Sequence, residues 1–465
     1  MQKAPKNSII ILEKIITNLR CFLHENYTTT NEIIKDLMIN YIKNLSNRLG
    51  KVDTHFLTDI TNGIISNNSV VLSDFSRSAS PNIQIKKGVE RLERHLDKYS
   101  SISNIVENDY TQMIKPYINN RKLYFVDGGD ITKDECTKFE NLGYVLDGSN
   151  QHKLAKGYKI FEIDTIDNSN QPISLISDIA SSNNSKLNDS NKELSKNLEW
   201  VKRMKKVSET YGKGTFILDR AYDGANIMEE IIKNGDDFIV RANHLNRKIE
   251  VSGKQTNISE LAKKCKGKYC LNTKFKGKKY SLKVSEYSFR INNRVNKFLS
   301  KRNLTLVIVK GYAKDQKNQN EAYMALITTK NITGKDKTIG IVNDYILRWK
   351  IEENFKFKKQ QYGLESIKIR KFNRIQDLGR LLSIVLFFNN VLNMTAIGKH
   401  VRKITKQARK NISFWLYRIA DVLSKSIAFL GYDLMIELYP PRQPRRYDLF
   451  TVGHIRFNPC LNCSN

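Results

Sequence analysis

Between Leu123 and Val240 the chain alternates short β-type runs with helical stretches, and that alternation constrains the fold more than any other feature. The runs are LYFV ahead of Asp127, GYKIFEI from Gly157, PISLIS from Pro172, FIL at 216–218 ahead of Asp219, and FIV at 238–240. Apolar periodicity predicts helices over about Glu193 to Tyr211 and through Ile227 to Lys233. The order is therefore three strands, helix, strand, helix, strand, which predicts a mixed α/β sheet. Ligand sites in open α/β sheets gather at strand ends. Asp127 and Asp219 sit at such ends, although Asp is also an ordinary turn residue there. Asp130 and Asp223 stand close enough to compete with them; Asp127 is preferred because it directly follows its strand.

The flanks read differently. Residues 1–115 carry helical periodicity at Ile9 to Leu23, Ile33 to Leu45 and Val89 to Leu96, with Phe56 to Ser80 long enough for a helix-turn-helix. Residues 245–335 return to β-type runs, among them Leu304 to Val309 and Met324 to Ile327, and predict a β-rich insertion too long for an ordinary connection. Beyond it, Leu378 to Leu392 reads as a buried helix and Lys399 to Ile419 as a basic one, while Arg442, Arg445 and Arg446 mark an exposed arm or a dimer element. The expected parts are a helical region 1–115, a core 116–244, the insertion 245–335, a returning core helix within 336–372, and a helical region 373–465.

Lys and Arg outnumber Asp and Glu by 78 to 47, a formal charge of +31. Such an excess costs compactness through self-repulsion and points to an anionic partner, most often nucleic acid. The competing explanation is a codon bias toward Lys, Asn and Ile. Six cysteines are too sparse for a disulfide framework and suit a reducing compartment; the pairs Cys265/Cys270 and Cys460/Cys463 make poor support for a zinc site. The apolar run Ile9 to Leu12 is too short for a signal peptide, and Leu381 to Phe388 falls below the roughly 20 residues that span a bilayer. A soluble, cytoplasmic protein with no membrane partner is expected.

One late stretch, YILRWKIEENFKFKK from Tyr345 to Lys359, concentrates polar chemistry. At 100° per residue, Tyr345, Arg348, Glu352 and Lys359 fall within an arc of roughly 60°. Leu347, Ile351 and Phe355 form an adjacent apolar stripe that would seat the helix on a core. Alone, this is also what an ordinary amphipathic surface helix looks like. Asp127 and Asp219 change its weight, because three carboxylates suffice to hold the ions of a two-metal phosphodiester site.

The spacing Tyr-x2-Arg-x3-Glu-x6-Lys at Tyr345, Arg348, Glu352 and Lys359 resembles the signature of bacterial DDE transposases of insertion-sequence family 4. ILDRAYDG at 217–224 with FIVRANH at 238–244 is similar to that family's second-acid region, and FVDGGDI at 125–131 to its first. The resemblance implies a ribonuclease H-like core, interrupted by the β-rich insertion and flanked by helical regions, the first of which binds DNA ends. It implies a cut-and-paste enzyme that acts on the terminal inverted repeats of a mobile element, through a hairpin intermediate, as a homodimer in a synaptic complex with element and target DNA. Asp127, Asp219 and Glu352 would hold two Mg²⁺ or Mn²⁺ ions; Tyr345, Arg348, Lys359 and Arg241 would grip DNA. Arg348, four residues from Glu352 on one helical face, is equally placed to pair with it; DNA contact is the preferred reading. Related enzymes stack a flipped base on an aromatic side chain, for which the insertion provides Tyr280, Tyr287, Phe289, Phe298 or Tyr312 but no tryptophan. Gly128 and Gly129 depart from the polar residues frequent in the family after its first acid. A domesticated DNA-binding protein, or a nuclease without strand transfer, are the alternatives.

If the surplus charge serves duplex DNA, binding should weaken with a log–log salt slope of about −0.9 per phosphate contact. Titration of a fluorescent duplex between low and physiological salt measures it, and a flat response would separate the charge from DNA.

Overall fold

Apolar periodicity builds the first helices. In α1 (Tyr27–Ser46) the side chains of Ile34, Leu37, Met38, Tyr41, Ile42 and Leu45 fall on one stripe and are all buried. It is followed by α2 (Lys51–Asn67), α3 (Leu72–Ala79), α4 (Ile85–Lys98) and α5 (Ser103–Ile114). The computed structural model describes residues 27–438 except 80–82, 137, 148–152, 182–188, 276–277, 293, 295, 314–321 and 409–413. The expected helix at Ile9 to Leu23, the arginine-rich tail and Cys460/Cys463 thus lie outside the described residues.

The sheet starts with β1 (Leu123–Thr132), β2 (Gly143–Asp147), β3 (Lys153–Ile166) and β4 (Pro172–Ser181), and continues through α6 (Asp189–Tyr211), β5 (Thr215–Leu218), α7 (Ala225–Lys233) and β6 (Asp237–Arg241). Side by side the central strands run β4, β3, β1, β5, β6; β3 is antiparallel to both its neighbours, whereas β1, β5 and β6 are parallel. The mixed α/β sheet expected from the strand and helix order is present. Two details differ. β1 does not stop at Asp127: past Val126 it loses β5 but keeps its ladder with β3 as far as Thr132 opposite Gly157. The short strand β2, which pairs with the start of β3, has too little alternation to be visible in the sequence.

The next segment comprises β7 (Lys248–Val251), β8 (Lys254–Asn257), α8 (Ile258–Lys264), β9 (Tyr269–Phe275), β10 (Lys278–Ile291), β11 (Leu304–Ala313) and β12 (Ala322–Thr328). It is β-rich, as expected, and it prolongs the central sheet, because β12 pairs antiparallel with β6. The chain then forms α9 (Lys335–Ile346), α10 (Trp349–Lys356), α11 (Phe372–Met394), α12 (Ala396–Ala408) and α13 (Leu416–Leu438).

Side chains alternate across the sheet with a period of two. Leu123, Phe125, Ile131, Ile217 and Ile239 face a core shared with α1–α5 and α9–α13; Tyr124, Val126, Phe216, Leu218, Phe238 and Val240 face a second core with α6 and α7. α11 is long and apolar enough to cross a membrane, yet 83% of its apolar window is buried inside the protein, where it packs on β4 and on helices from both ends of the chain. Arg374 on α11 ties down α4 through Glu93 and Asp97, at 2.6 Å each.

Gly157 pairs with Gly143 on one strand and Thr132 on another, and a Cβ there would run into the carbonyl oxygen of Ile131 and the side chain of Val145. Gly157→Val should therefore cost about 1–3 kcal/mol or more through overpacking. A lowered urea midpoint checks this.

Candidate active site

The site is built from one level of the sheet. Val126 of β1 lies opposite Leu218 of β5, and Leu218 opposite Val240 of β6, so the next residues, Asp127, Asp219 and Arg241, stand in a row. Adjacent strands are ~4.8 Å apart, which brings the two aspartates together. By alternation all three belong to the face covered by α9 and α10. Asp130, an odd number of residues from Asp127 along the same strand, belongs to the opposite face. Asp219 leaves β5 into the short turn Arg220–Tyr222. Asp223 instead closes the loop after β6, accepting the backbone N–H groups of Asn243 and His244 at 2.7 and 3.0 Å and meeting Arg247 at 2.7 Å.

The stretch Tyr345–Lys359 is not one regular α-helix. α9 ends at Ile346, the chain tightens so that Arg348 N–H bonds Tyr345 O and Ile351 N–H bonds Arg348 O, and α10 then widens into a π-turn at Phe357–Gln361. The apolar stripe seats as expected, with Ile351 and Phe355 buried and Leu347 packed at its margin. Gly129 explains how closely α10 approaches β1: a Cβ there would lie 2.9 Å from the Phe355 ring. The widened turn changes the phase after Lys356. Lys358 becomes fully buried, and Lys359 pairs with Glu365 at 2.9 Å. Glu353 is paired with Lys356 at 3.6 Å.

Close approach of α10 places Arg348 between two acids. Its Nη1 donates to Asp127 Oδ2 at 2.9 Å and its Nη2 to Glu352 Oε1 at 2.6 Å. The structure thus adds Asp127 to the ion pair with Glu352 that helical spacing allows. Tyr345, largely buried, directs its hydroxyl at Asp219 Oδ1 from 3.5 Å.

Burial pushes the Asp127 carboxyl up to about 6; Arg348 opposes that shift and the charge of Asp219 adds to it, with a smaller contribution from Glu352. Burial likewise lifts the Tyr345 phenol to about 12. For Arg348 burial disfavours the charge, but Asp127 and its neighbouring anions outweigh it and raise the pKa. Among the described residues no three Asp, Glu, His or Cys side chains are grouped closely enough to hold a single ion. The donor chemistry nevertheless suits hard divalent cations that keep waters or phosphates as ligands, since Asp127 feels one acid on the neighbouring strand and one on the helix.

Beside Glu352 a cavity of about 410 Å³ opens between α9–α10 and the strands β9–β12, lined by Arg241, Phe275, Tyr280, Tyr323, Arg348 and Trp349 among others. Of the aromatics considered from sequence, Tyr280 lines it. Phe289 is buried in the second core, Tyr287 and Phe298 pack against that core, and the Tyr312 side chain lies outside the described residues. Trp349 stands edge-on to Phe275, with ring centroids 6.5 Å apart. It lies outside the insertion, where sequence reasoning seeks a stacking group, and its adjacency to Arg348 is the signal that would have found it.

Residues 191–388 match the transposase DDE domain family. The matched DDE region takes in Asp219, the whole β7–β12 segment and Glu352, and Asp127 precedes it. It supports a DDE transposase, a family whose members work on DNA and use divalent metal ions. No curated protein matches the chain.

A carboxyl raised from its ordinary 3.8 to about 6 binds more protons folded than unfolded between those values, so its contribution to stability falls as pH rises through that window. Asp127→Asn removes the effect. Relative to this variant, the wild type should lose up to roughly 3 kcal/mol between pH 4 and 7 in the absence of divalent metal, at 1.36 kcal/mol per unit. Urea unfolding of both proteins across that range tests it; parallel pH profiles would refute the burial-driven shift.

Proposed function

We propose that the protein is a DNA transposase of the insertion-sequence family 4 type, with Asp127, Asp219 and Glu352 as the acids of its catalytic site. The observation that carries this reading is the convergence of Asp127 and Glu352, 225 positions apart in sequence, on one guanidinium, with Asp219 level with Asp127 on the adjoining strand. The β4-β3-β1-β5-β6 order, antiparallel then parallel, supports a ribonuclease H-like core.

Two Mg²⁺ or Mn²⁺ ions would activate the attacking oxygen and stabilise the leaving oxygen of a phosphodiester. Asp127, Asp219 and Glu352 would hold these ions between the sheet and α10. Arg348 holds the carboxylates of Asp127 and Glu352 in position and adds a contact to the DNA backbone. Its planar fork suits phosphate as well as carboxylate. Tyr345, Arg241 and Lys359 add phosphate contacts around the cleaved end. The aromatic cavity formed by Phe275, Tyr280, Tyr323 and Trp349 accepts a base turned out of the duplex, as a hairpin route requires. Element ends are gripped by the N-terminal helices, and two chains act together in a synaptic complex in the cytoplasm, at the nucleoid.

Glu352→Gln should retain duplex binding and lose Mg²⁺-dependent nicking of supercoiled DNA by at least about a hundredfold; unchanged nicking rejects the assignment. Trp349→Ala should lower affinity for an end with an unpaired base by about 1–3 kcal/mol while fully paired duplex is bound as before. Equal losses on both duplexes would remove the cavity from base recognition. Incubating precleaved ends with a supercoiled target separates strand transfer from simple hydrolysis.

A further inference from the structure

The level of the sheet that carries Asp127, Asp219 and Arg241 continues on its other side. Asp127 lies directly opposite Glu162 on β3, and Glu162 opposite Ser177 on β4. Directly opposed residues present their side chains on the same face about 5 Å apart, so Glu162 is the next side chain along from Asp127. It is only 1% exposed, and Asp164, two residues on, is wholly buried. Carboxylates this deep are costly unless charge and hydrogen bonds compensate them.

Compensation comes from the segment that carries Glu352. Lys358 Nζ lies 2.5 Å from Glu162 Oε1, 2.8 Å from Ser383 Oγ and 3.2 Å from the hydroxyls of Ser174 and Ser177. Asn354 Nδ2 donates to Asp164 Oδ2 at 2.8 Å, and Ser174 Oγ donates to Glu162 at 2.6 Å. Burial first, and the charge of Glu162 second, push the Asp164 carboxyl well above its ordinary value, while Lys358 and Glu162 face each other as an ion pair. Asn354, about 200° round α10 from Glu352, and Lys358, in the widened turn that follows, both reach this pair of acids. The segment is therefore held from behind by polar contacts at the level of Asp127, while its front carries Glu352.

We infer that Lys358 is a positioning residue: by seating on Glu162, immediately beside Asp127, it sets the depth and rotation of the helix that presents Glu352 to the other two acids. The inference rests on the metal-holding role proposed for those acids. An apolar side chain at 358 would fill the space, but it would slide along its neighbours; an ammonium confronted by one carboxylate and three hydroxyls has a defined seat. Replacing a buried ion pair by neutral groups of similar size is often neutral for stability, so the effect belongs in site geometry.

The test pairs Lys358→Met with Glu162→Gln, so that no unpaired charge is left behind, and measures Mn²⁺ binding without DNA by the electron paramagnetic resonance signal of free Mn²⁺. The paired variant should keep a melting temperature near that of the wild type and bind Mn²⁺ about tenfold more weakly, the scale on which groups behind metal ligands act. A folded paired variant with wild-type Mn²⁺ affinity overturns the inference. Should the paired variant fail to fold, Ser177→Ala with Ser383→Ala keeps both charges and removes two of the hydroxyls around the ammonium. Weaker Mn²⁺ binding then supports the positioning role, and unchanged binding overturns it. Glu352→Gln in the same assay keeps the two ideas apart. If it binds Mn²⁺ as the wild type does, the metal reading fails and the positioning role falls with it. If it binds weakly while the paired variant does not, only the role of Lys358 is lost.

Discussion

One guanidinium joins the two halves of the site. Arg348 bridges Asp127 on β1 and Glu352 on α10 in a partly buried setting where Asp219 adds a further negative charge. Burial raises the Asp127 carboxyl above its ordinary value, and the like charges of Asp219 and, to a smaller extent, Glu352 add to that rise. A planar cation with two parallel donors answers both acids at once, which a lysine ammonium would do less specifically. The close packing of Phe355 on Gly129 brings the helix near enough for this fork to reach.

The site gains rigidity from the continuity of the sheet. Because β12 pairs with β6, the long segment between β6 and α9 extends the surface that bears Asp127, Asp219 and Arg241. The aromatic cavity consequently shares its walls with the acids: Arg348 and Glu352 line it from the helix, and Tyr280 and Tyr323 from the strands. Behind the helix, Lys358 and Asn354 reach into the same sheet through Glu162 and Asp164. α10 and its two flanks are thus fixed on both sides by polar contacts, the ion pairs of Arg348 in front and of Lys358 behind.

Helical regions from the two ends of the chain form one body around α11. The hydroxyl of Tyr41 on α1 donates to the carbonyl of Ile384, Ser424 on α13 donates to Ser66 O at 2.7 Å, and Arg374 holds α4 by two carboxylates. α11 in turn lies along β4, so the helical body backs the sheet where Glu162 and Ser174 are buried. An apolar segment long enough for a bilayer is here the shared core of two helical layers.

Local sequence determined what depends on short-range periodicity. Strand alternation and helical spacing placed β1, β3, β4, β5 and β6 in order, put Asp219 at a strand end, and picked Ile351 and Phe355 as the buried stripe of α10. The three acids of the proposed site stand out in the sequence because two follow apolar runs and the third shares a helical face with an arginine. Tertiary structure decided the rest. Where β1 ends depends on β3, which keeps pairing after β5 has stopped, and no local pattern around Asp127 encodes that partner. A π-turn, invisible to an assumption of 100° per residue, sent Lys359 to Glu365 and buried Lys358. Lys358 looked like one more surface charge in a basic chain. It is in the core because Glu162, 196 residues earlier, offers the opposite charge in a place water cannot reach, and such long-range compensation exists only once the chain has folded.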